Sequence, residues 1–232
     1  MLARAESAPL SLTAIGISGA ELLLDPSGAA VWVEERVLMV ADMHLEKGSA
    51  FARRGQMLPP FDTIDTVARL ERLVARHRPR ILVALGDSLH DRWAGERLDA
   101  GIRARLRALA AAVEVVWIAG NHDPAPHGLG GACMEMLALG PLRLRHEPEE
   151  GAAAGEVCGH LHPTARVAAR GRSMRRRCFV TDGARLLMPA FGAYAGGLDV
   201  GEPAISSLFA RPFEAHLLGA ERTFRIPLER AG

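Results

Sequence analysis

A repeated order of apolar strand and amphipathic helix in the first 125 residues is the feature that most constrains the fold. The runs RVLMVAD, RILVALGD and VEVVWIAGNHD have the length and composition of buried strands. Residues 94–112 are predicted to form one helix, and residues 61–77 carry apolar side chains at helical spacing: Ile64, Val67, Leu70, Leu73 and Val74. This alternation predicts an α/β sheet.

The rest of the chain is predicted to be rich in short strands. LTAIGIS, AELLLD and AVWVEE precede the alternating region, and PLRLRH, EVCGHLHP, ARVAAR, RCFVTDG and RLLMPAF follow it. KGSAFARRGQMLPP is predicted to be a loop, and residues 193–232 carry no motif beyond a glycine-rich stretch. Since no linker divides the chain, we expect residues 1–232 to form a single domain with two packed sheets.

Composition excludes several classes of protein. With 232 residues and 49% hydrophobic side chains, the chain can bury a sizeable core. No apolar run reaches the length of about 18 residues that a membrane span needs, so we expect a cytoplasmic protein without membrane partners. The net charge of +1 argues against a protein that coats DNA, but it allows a local basic patch. Cys133, Cys158 and Cys178 are predicted to be buried free thiols.

Several predicted strands end in side chains that can bind metal ions. The candidates are Asp42 and His44, then Asp87, His90 and Asp91, then Asn121, His122 and Asp123, then His146, and finally His160 and His162. Ligands of open α/β sheets bind beyond the carboxyl ends of the strands. Residues i and i+2 of an extended strand face the same way, so we expect His160 and His162 to point to one side.

The donor types indicate which metal would bind. Carboxylate and amide oxygens combined with imidazoles suit Mn²⁺, and Fe or Zn²⁺ are also possible. These candidate ligands are too many for one tetrahedral ion. They suit two divalent ions that share a carboxylate, which is an arrangement that promotes displacement at phosphorus.

The order of the blocks DMH, GDSLHD, GNHD, H and GHLH resembles the pattern of the calcineurin-like metallophosphoesterases. All the blocks occur in sequence between Asp42 and His162. The segment ADMHLEKGSAFARRGQMLPPFDT is similar to a narrower family, the bacterial DNA-ligase-associated metallophosphoesterases. The resemblance implies an α/β fold, specifically a four-layer αββα sandwich, and metal-dependent hydrolysis of phosphate esters.

The resemblance also implies a role for each residue. Asp42, His44 and His162 would hold the first ion, Asn121, His146 and His160 the second, and Asp87 would bridge the two. His122 would stabilise or protonate the leaving oxygen. Asp123 is the second predicted catalytic residue; apart from the resemblance, we expect it either to orient His122 or to cap the next segment. His127 is the rival to His146, although it follows GNHD too closely to belong to a later strand.

Residues outside the predicted metal site are candidates for contacts with the substrate. Lys47, Arg53, Arg54, His90 and Arg92 are candidate phosphate contacts, because proteins hold nucleic acids mostly through the backbone. RGRSMRRRC concentrates five arginines in a predicted hairpin connection, which is either a DNA-facing patch or a solvated loop. Only 5% of the residues are aromatic, which argues against an extended stacking platform for bases.

These observations leave three functional hypotheses. The first is a Mn²⁺-dependent DNA endonuclease of a repair system, acting on single-stranded DNA and associated with a DNA ligase, an exonuclease and a helicase. Only the family resemblance supplies its DNA part. The second is a phosphodiesterase or phosphomonoesterase for small nucleotides. The third, an inactive binding module, predicts loss of ligands or of His122, and the sequence retains all of them.

Overall fold

Two β-sheets form the centre of the protein in a computed structural model that describes residues 10–151, 153–169, 171–210 and 212–228. The first sheet has its strands in chain order: β1 (Thr13–Ile17), β2 (Ala20–Leu24), β3 (Ala30–Trp32), β4 (Val37–Val40), β5 (Ile81–Leu85), β6 (Glu114–Ile118) and β7 (Ala132–Met134). Strands β1 to β4 are antiparallel to their neighbours, whereas β4 to β7 run parallel.

The second sheet is built by the later part of the chain. Its strands are β8 (Met136–Leu139), β9 (Leu142–Arg145), β10 (Glu156–Cys158), β11 (Thr164–Ala169), β12 (Arg172–Thr181), β13 (Arg185–Leu187), β14 (Phe213–Leu218) and β15 (Thr223–Leu228). Their spatial order is β15-β14-β12-β13-β10-β9-β8, and β11 pairs with β12 beside this path. Strands β9, β10 and β13 are parallel neighbours.

The helices are α1 (Lys47–Ala52), α2 (Asp62–His77), α3 (Ala94–Arg97), α4 (Ala100–Ala112) and α5 (Pro203–Ser206). The apolar face of α2 packs with α4 on the outer face of the first sheet, where Leu70 and Leu106 meet Leu82. A second cluster, which includes Leu85 and Phe179, fills the space between the sheets. A third lies between α5 and the second sheet. This layering confirms the predicted αββα sandwich.

Several local predictions are wrong. The expected loop after His44 contains α1, and the helix expected over 94–112 is broken at Leu98. Asp99 starts a new helix there, because its carboxylate accepts a hydrogen bond from the Gly101 backbone N–H at 2.7 Å. The C-terminal residues that carried no motif form α5, β14 and β15. Cys133 is exposed on β7, whereas Cys158 and Cys178 are buried as expected.

The topology brings the predicted metal ligands together. Strands β4, β5 and β6 are parallel neighbours, so their carboxyl ends lie at one edge of the first sheet. Strands β9 and β10 are parallel in the second sheet and end at the same place. Within the described part of the chain, no helix is long and apolar enough to cross a membrane.

Candidate metal centre

One group of candidate ligands lies where β4 and β10 end. The Nε2 atoms of His44 and His162 are 3.2 Å apart, and His162 Nε2 is 3.4 Å from Asp42 Oδ1. Asp42 is fully buried and accepts hydrogen bonds from the His160 backbone N–H at 3.0 and 3.2 Å. These contacts hold the carboxylate against the turn that carries both His160 and His162.

A second group lies at the ends of β6 and β9. His146 Nε2 is 2.9 Å from Asn121 Oδ1 and 3.2 Å from His160 Nδ1. The other ring nitrogen of His146 donates to the Leu85 carbonyl at 3.0 Å, which leaves a lone pair on Nε2. This lone pair and the amide oxygen of Asn121 are both acceptors, so their close approach calls for a cation between them.

Asp87 lies between the two groups. Its Oδ2 is 3.8 Å from His44 Nε2, and its Oδ1 is 3.5 Å from His146 Nε2. One carboxylate therefore faces both sets of donors, which is the arrangement that a residue shared by two ions requires.

The buried charges also favour divalent cations. Asp42 and Asp87 are 0% and 3% exposed, and in the described part of the chain their ion-pair partners are all histidines. Burial, with smaller contributions from His162 and His122, lowers the pKa of His44 to about 2, so its ring is neutral. Buried carboxylates without a compensating cation cost several kcal/mol each. The donors present therefore fit divalent metal ions.

The backbone at these ligands is held in an unusual conformation. Nine described residues other than glycine have positive φ, and five of them are candidate ligands: Asp42, His44, Asp87, His160 and His162. Strand β10 ends at Cys158, so the prediction that His160 and His162 share a face of an extended strand is wrong. They converge on one site because both lie in a left-handed turn, and such strain clusters at functional sites.

Glycines permit the close packing of the ligands. A Cβ atom on Gly120 would lie 2.2 Å from the Asp87 backbone nitrogen, and one on Gly159 would lie 2.6 Å from Asp42 Oδ2. A Cβ on Gly86 would lie 2.3 Å from the His146 ring. The glycines in GD, GNHD and GHLH are therefore explained by the space that the ligands occupy.

His122 lies beside the ligands with an exposed side chain. Its backbone N–H donates to Asp87 Oδ1 at 2.9 Å, and its Nδ1 donates to the His90 carbonyl at 2.6 Å. The remaining nitrogen, Nε2, lies 3.9 Å from Asp87 Oδ2. The ring is thus oriented by backbone contacts, and it presents Nε2 to the space beside the candidate ligands.

Among the described residues, Asp123 forms no hydrogen bond with His122 and instead contacts the segment after Asp87. Its buried Oδ2 accepts a hydrogen bond from the Leu89 backbone N–H at 2.9 Å, and burial raises its pKa to about 6. The contact fixes the segment that follows Asp87. This geometry points to a role in positioning that segment, rather than to contact with a reacting atom.

The candidate phosphate contacts divide into two sets. Lys47 and His90 lie near the candidate ligands: the charge of Lys47 lowers the pKa of both His44 and His90, after the larger effect of burial. Arg53 and Arg54 are exposed at the end of α1.

The remaining candidates lie at other contacts. Arg92 is exposed, with its guanidinium 4.7 Å from the centre of the Trp93 ring. His127, the rival to His146, packs edge-on against Trp117 at 4.7 Å. It is therefore His146 that the structure brings to the candidate centre.

Sequence reasoning missed the residues that support the site. Asn121 donates its amide N–H to Glu147, which turns Oδ1 toward His146. A segment that we call the site loop (residues 190–198) runs from Asp42 to His162: the Gly192 N–H donates to the Asp42 carbonyl, and a Cβ on Gly197 would lie 2.0 Å from the His162 carbonyl.

The guanidinium group of Arg177 holds the site loop in place. Arg177 donates to the carbonyls of Ala190, Ala193 and Ala195 at 3.0, 2.9 and 3.4 Å. The glycines of the loop were visible in the sequence. Nothing in the sequence indicated the arginine that binds its carbonyls.

Comparison with known proteins gives matches to one family model and to solved structures. Residues 35–167 match a family model described as calcineurin-like phosphoesterase. The crystal structure of Pseudomonas putida nuclease MPE is similar, with a TM-score of 0.71 and 32% identity over 93% of this chain and 100% of that chain. YfcE, a phosphoesterase from E. coli, gives a TM-score of 0.43 and 17% identity over 83% and 99% of the two chains. No curated protein sequence matches this chain.

Proposed function

Because this chain belongs to the calcineurin-like phosphoesterase family, we propose that it is a Mn²⁺-dependent endonuclease that cleaves phosphodiester bonds in single-stranded DNA. The family makes it a metal-dependent phosphoesterase. Beyond the family's activity, we propose the identity of the substrate and of the metal ion. The observation that carries the substrate is the similarity to a nuclease over 93% of the chain.

The chain supplies a complete set of metal ligands. Asp42, His44 and His162 would hold one ion, Asn121, His146 and His160 the other, and Asp87 would contact both. When bound, two divalent ions neutralise the charge of the phosphodiester and activate a water molecule for attack. The nitrogen and oxygen donors suit Mn²⁺, and the same donors accept Fe or Zn²⁺.

His122 would act on the leaving group. Because Nδ1 donates to a backbone carbonyl, Nε2 can carry a proton toward the oxygen that departs. A protonated Nε2 would stabilise the charge that develops on that oxygen and then transfer its proton. Asp123 would hold the segment after Asp87 in place during this step.

We further propose a role in DNA repair in the cytoplasm. The resemblance of the segment around His44 to the DNA-ligase-associated metallophosphoesterases supports an association with a ligase, an exonuclease and a helicase. The three cysteines are free, which suits a reducing compartment.

The test uses covalently closed single-stranded circular DNA. Metal-stripped protein is incubated with the circle and Mn²⁺, in parallel with the His122→Ala variant. A circle has no ends, so linearisation by wild-type protein and not by the variant would establish metal-dependent endonuclease activity. An intact circle together with hydrolysis of an aryl phosphodiester would retain the phosphoesterase and refute the DNA assignment, in favour of a small nucleotide substrate.

A further inference from the structure

Strands β11 and β12 form a two-stranded arm that begins next to the metal ligands. The first six residues of β12 pair only with β11, before the strand joins the second sheet at Cys178. We call residues 164–177 the arginine arm. It starts two residues after His162, and it contains six arginines and no acidic residue. Arg170 lies outside the described residues, and the side chain of Arg172 is not described.

The pairing register sorts the described arginines onto two faces. Residues directly opposite each other in an antiparallel pair share a face. Arg166 is opposite Arg175, and Thr164 is opposite Arg177, so these side chains lie on one face. Arg176 is opposite Ala165 on the other face.

The first of these faces adjoins the metal centre. Arg177 binds the site loop, and Arg175 donates to the carbonyl of Gly197 in that loop and to Thr164 Oγ1. The backbone of Gly197 in turn contacts the His162 carbonyl. Arg166 lies about 7 Å further along the same face than Thr164, at about 3.3 Å per residue. The face therefore leads outward from the site.

The two exposed arginines of this face form no ion pair with a described carboxylate. Arg166 and Arg175 are exposed and directly opposite, and like charges in such pairs are destabilising. Asp199 and Glu202 line a cavity beside Arg166, but no described carboxylate forms an ion pair with Arg166, Arg175 or Arg176. Like charges gathered next to a phosphoesterase site favour the binding of an anion that spans these arginines and the site.

We propose that the face of the arginine arm that carries Arg166 and Arg175 binds the phosphate backbone of a single-stranded polynucleotide next to the phosphate being cleaved. This inference rests on the proposed function and narrows it, because a mononucleotide at the metal ions has no further phosphodiester to place on the arm. The contacts are to phosphates, so the arm binds DNA and RNA alike. Discrimination between them lies elsewhere.

The test compares Arg166→Gln with Arg176→Gln. Both variants remove one arginine charge from the same hairpin, but from opposite faces. Binding is measured by fluorescence anisotropy in the metal-loaded His122→Ala background, with labelled single-stranded DNA and RNA of about 20 nucleotides, which is longer than one typical site. The salt concentration is varied, because each lost phosphate contact lowers the slope of log K against log salt by about 0.7.

We expect Arg166→Gln to weaken binding about threefold to tenfold at low salt. The plot of log K against log salt should become less steep, by about 0.7. Arg176→Gln should bind as wild type does. Equal losses of affinity in the two variants would show that binding depends only on the net charge of the arm, which would overturn the assignment to one face. Absence of oligonucleotide binding, or tighter binding to vesicles of phosphatidylcholine and phosphatidylserine, would also overturn it.

Cleavage by proteins that retain His122 separates this inference from the proposed function. Oligonucleotide binding that depends on Arg166, without cleavage of the circle, would retain the arm and refute the endonuclease. Cleavage and binding that are both insensitive to Arg166→Gln would retain the endonuclease and refute the arm. The ratio of DNA cleavage to aryl phosphodiester hydrolysis should fall in Arg166→Gln, because only the polymer reaches the arm.

Discussion

Substitution of Gly159 by alanine should disable the metal centre by displacing a ligand. The new Cβ would lie 2.6 Å from Asp42 Oδ2, 2.9 Å from Ala41 Cβ and 3.2 Å from the Leu85 carbonyl. Ordinary contact begins near 3.4 Å, so the carboxylate must move by about 0.8 Å. Metal–ligand distances tolerate about 0.2 Å. We therefore expect metal affinity to fall at least about tenfold, with about 1–3 kcal/mol lost in unfolding free energy from overpacking.

A matched control is available in the site loop. A Cβ on Gly196 would meet no atom within 4 Å, and its φ is not positive, so Gly196→Ala should bind metal as wild type does. Isothermal titration with Mn²⁺ measures the affinity of both variants, and urea unfolding of the metal-free proteins measures the stability loss. Wild-type Mn²⁺ affinity in a folded Gly159→Ala protein would refute the reasoning, because Asp42 could then not be a ligand in this geometry.

Three further predictions test the centre and the fold. His122→Ala should lower kcat on DNA by about 10²–10⁴-fold but slow a nitrophenyl diester much less, because nitrophenolate departs without a proton; equal losses would exclude the leaving-group role. Mn²⁺ at about 100 times its Kd should stabilise the apoprotein by about 2.7 kcal/mol and raise Tm by about 5–10 °C in calorimetry, and an unchanged Tm would exclude binding. Burial would raise the pKa of Asp25, but hydrogen bonds from His77 and Ser27 and the charge of Arg76 lower it from 3.8 to about 2. Its carboxylate thus adds about 2 kcal/mol to the free energy of unfolding above about pH 4, and this contribution is lost as the pH falls toward 2. Urea unfolding should show the stability difference between wild type and Asp25→Asn shrinking with acid. A difference that stays constant with pH would contradict this prediction.

The parts of the fold that the sequence predicted are those with long, regular patterns. Helix α2 has four turns of amphipathic spacing, and β5 is a continuous apolar run, so both were identified. Helix α1 has only six residues and starts after Glu46 in a left-handed conformation, so it offers no period to detect. In β14 the inward residues Phe213, Ala215 and Leu217 do alternate, but the strand is fixed by its pairing with distant β12 and β15.

The candidate ligands could be identified because each is a chemically distinctive residue beside a predicted strand. Their supports could not, because they act through contacts between distant segments. Glu147 orients Asn121 from the opposite sheet, and Arg177 binds carbonyls of a loop more than ten residues away. The period-two argument for His160 and His162 failed for a related reason, since the turn that they occupy is held by Asp42, 118 residues earlier.

Backbone strain at the candidate ligands indicates a second role for the two buried carboxylates. A left-handed residue other than glycine costs about 1 kcal/mol or more, so the five strained ligands together cost about 5 kcal/mol, which approaches the net stability of a domain. Asp42 accepts the His160 backbone N–H, and Asp87 accepts that of His122, each across a long stretch of sequence. These bonds hold the turns in the conformations that aim the imidazoles. The two aspartates therefore shape the site as well as supply its charge, and replacing either with alanine removes a backbone acceptor together with a candidate ligand.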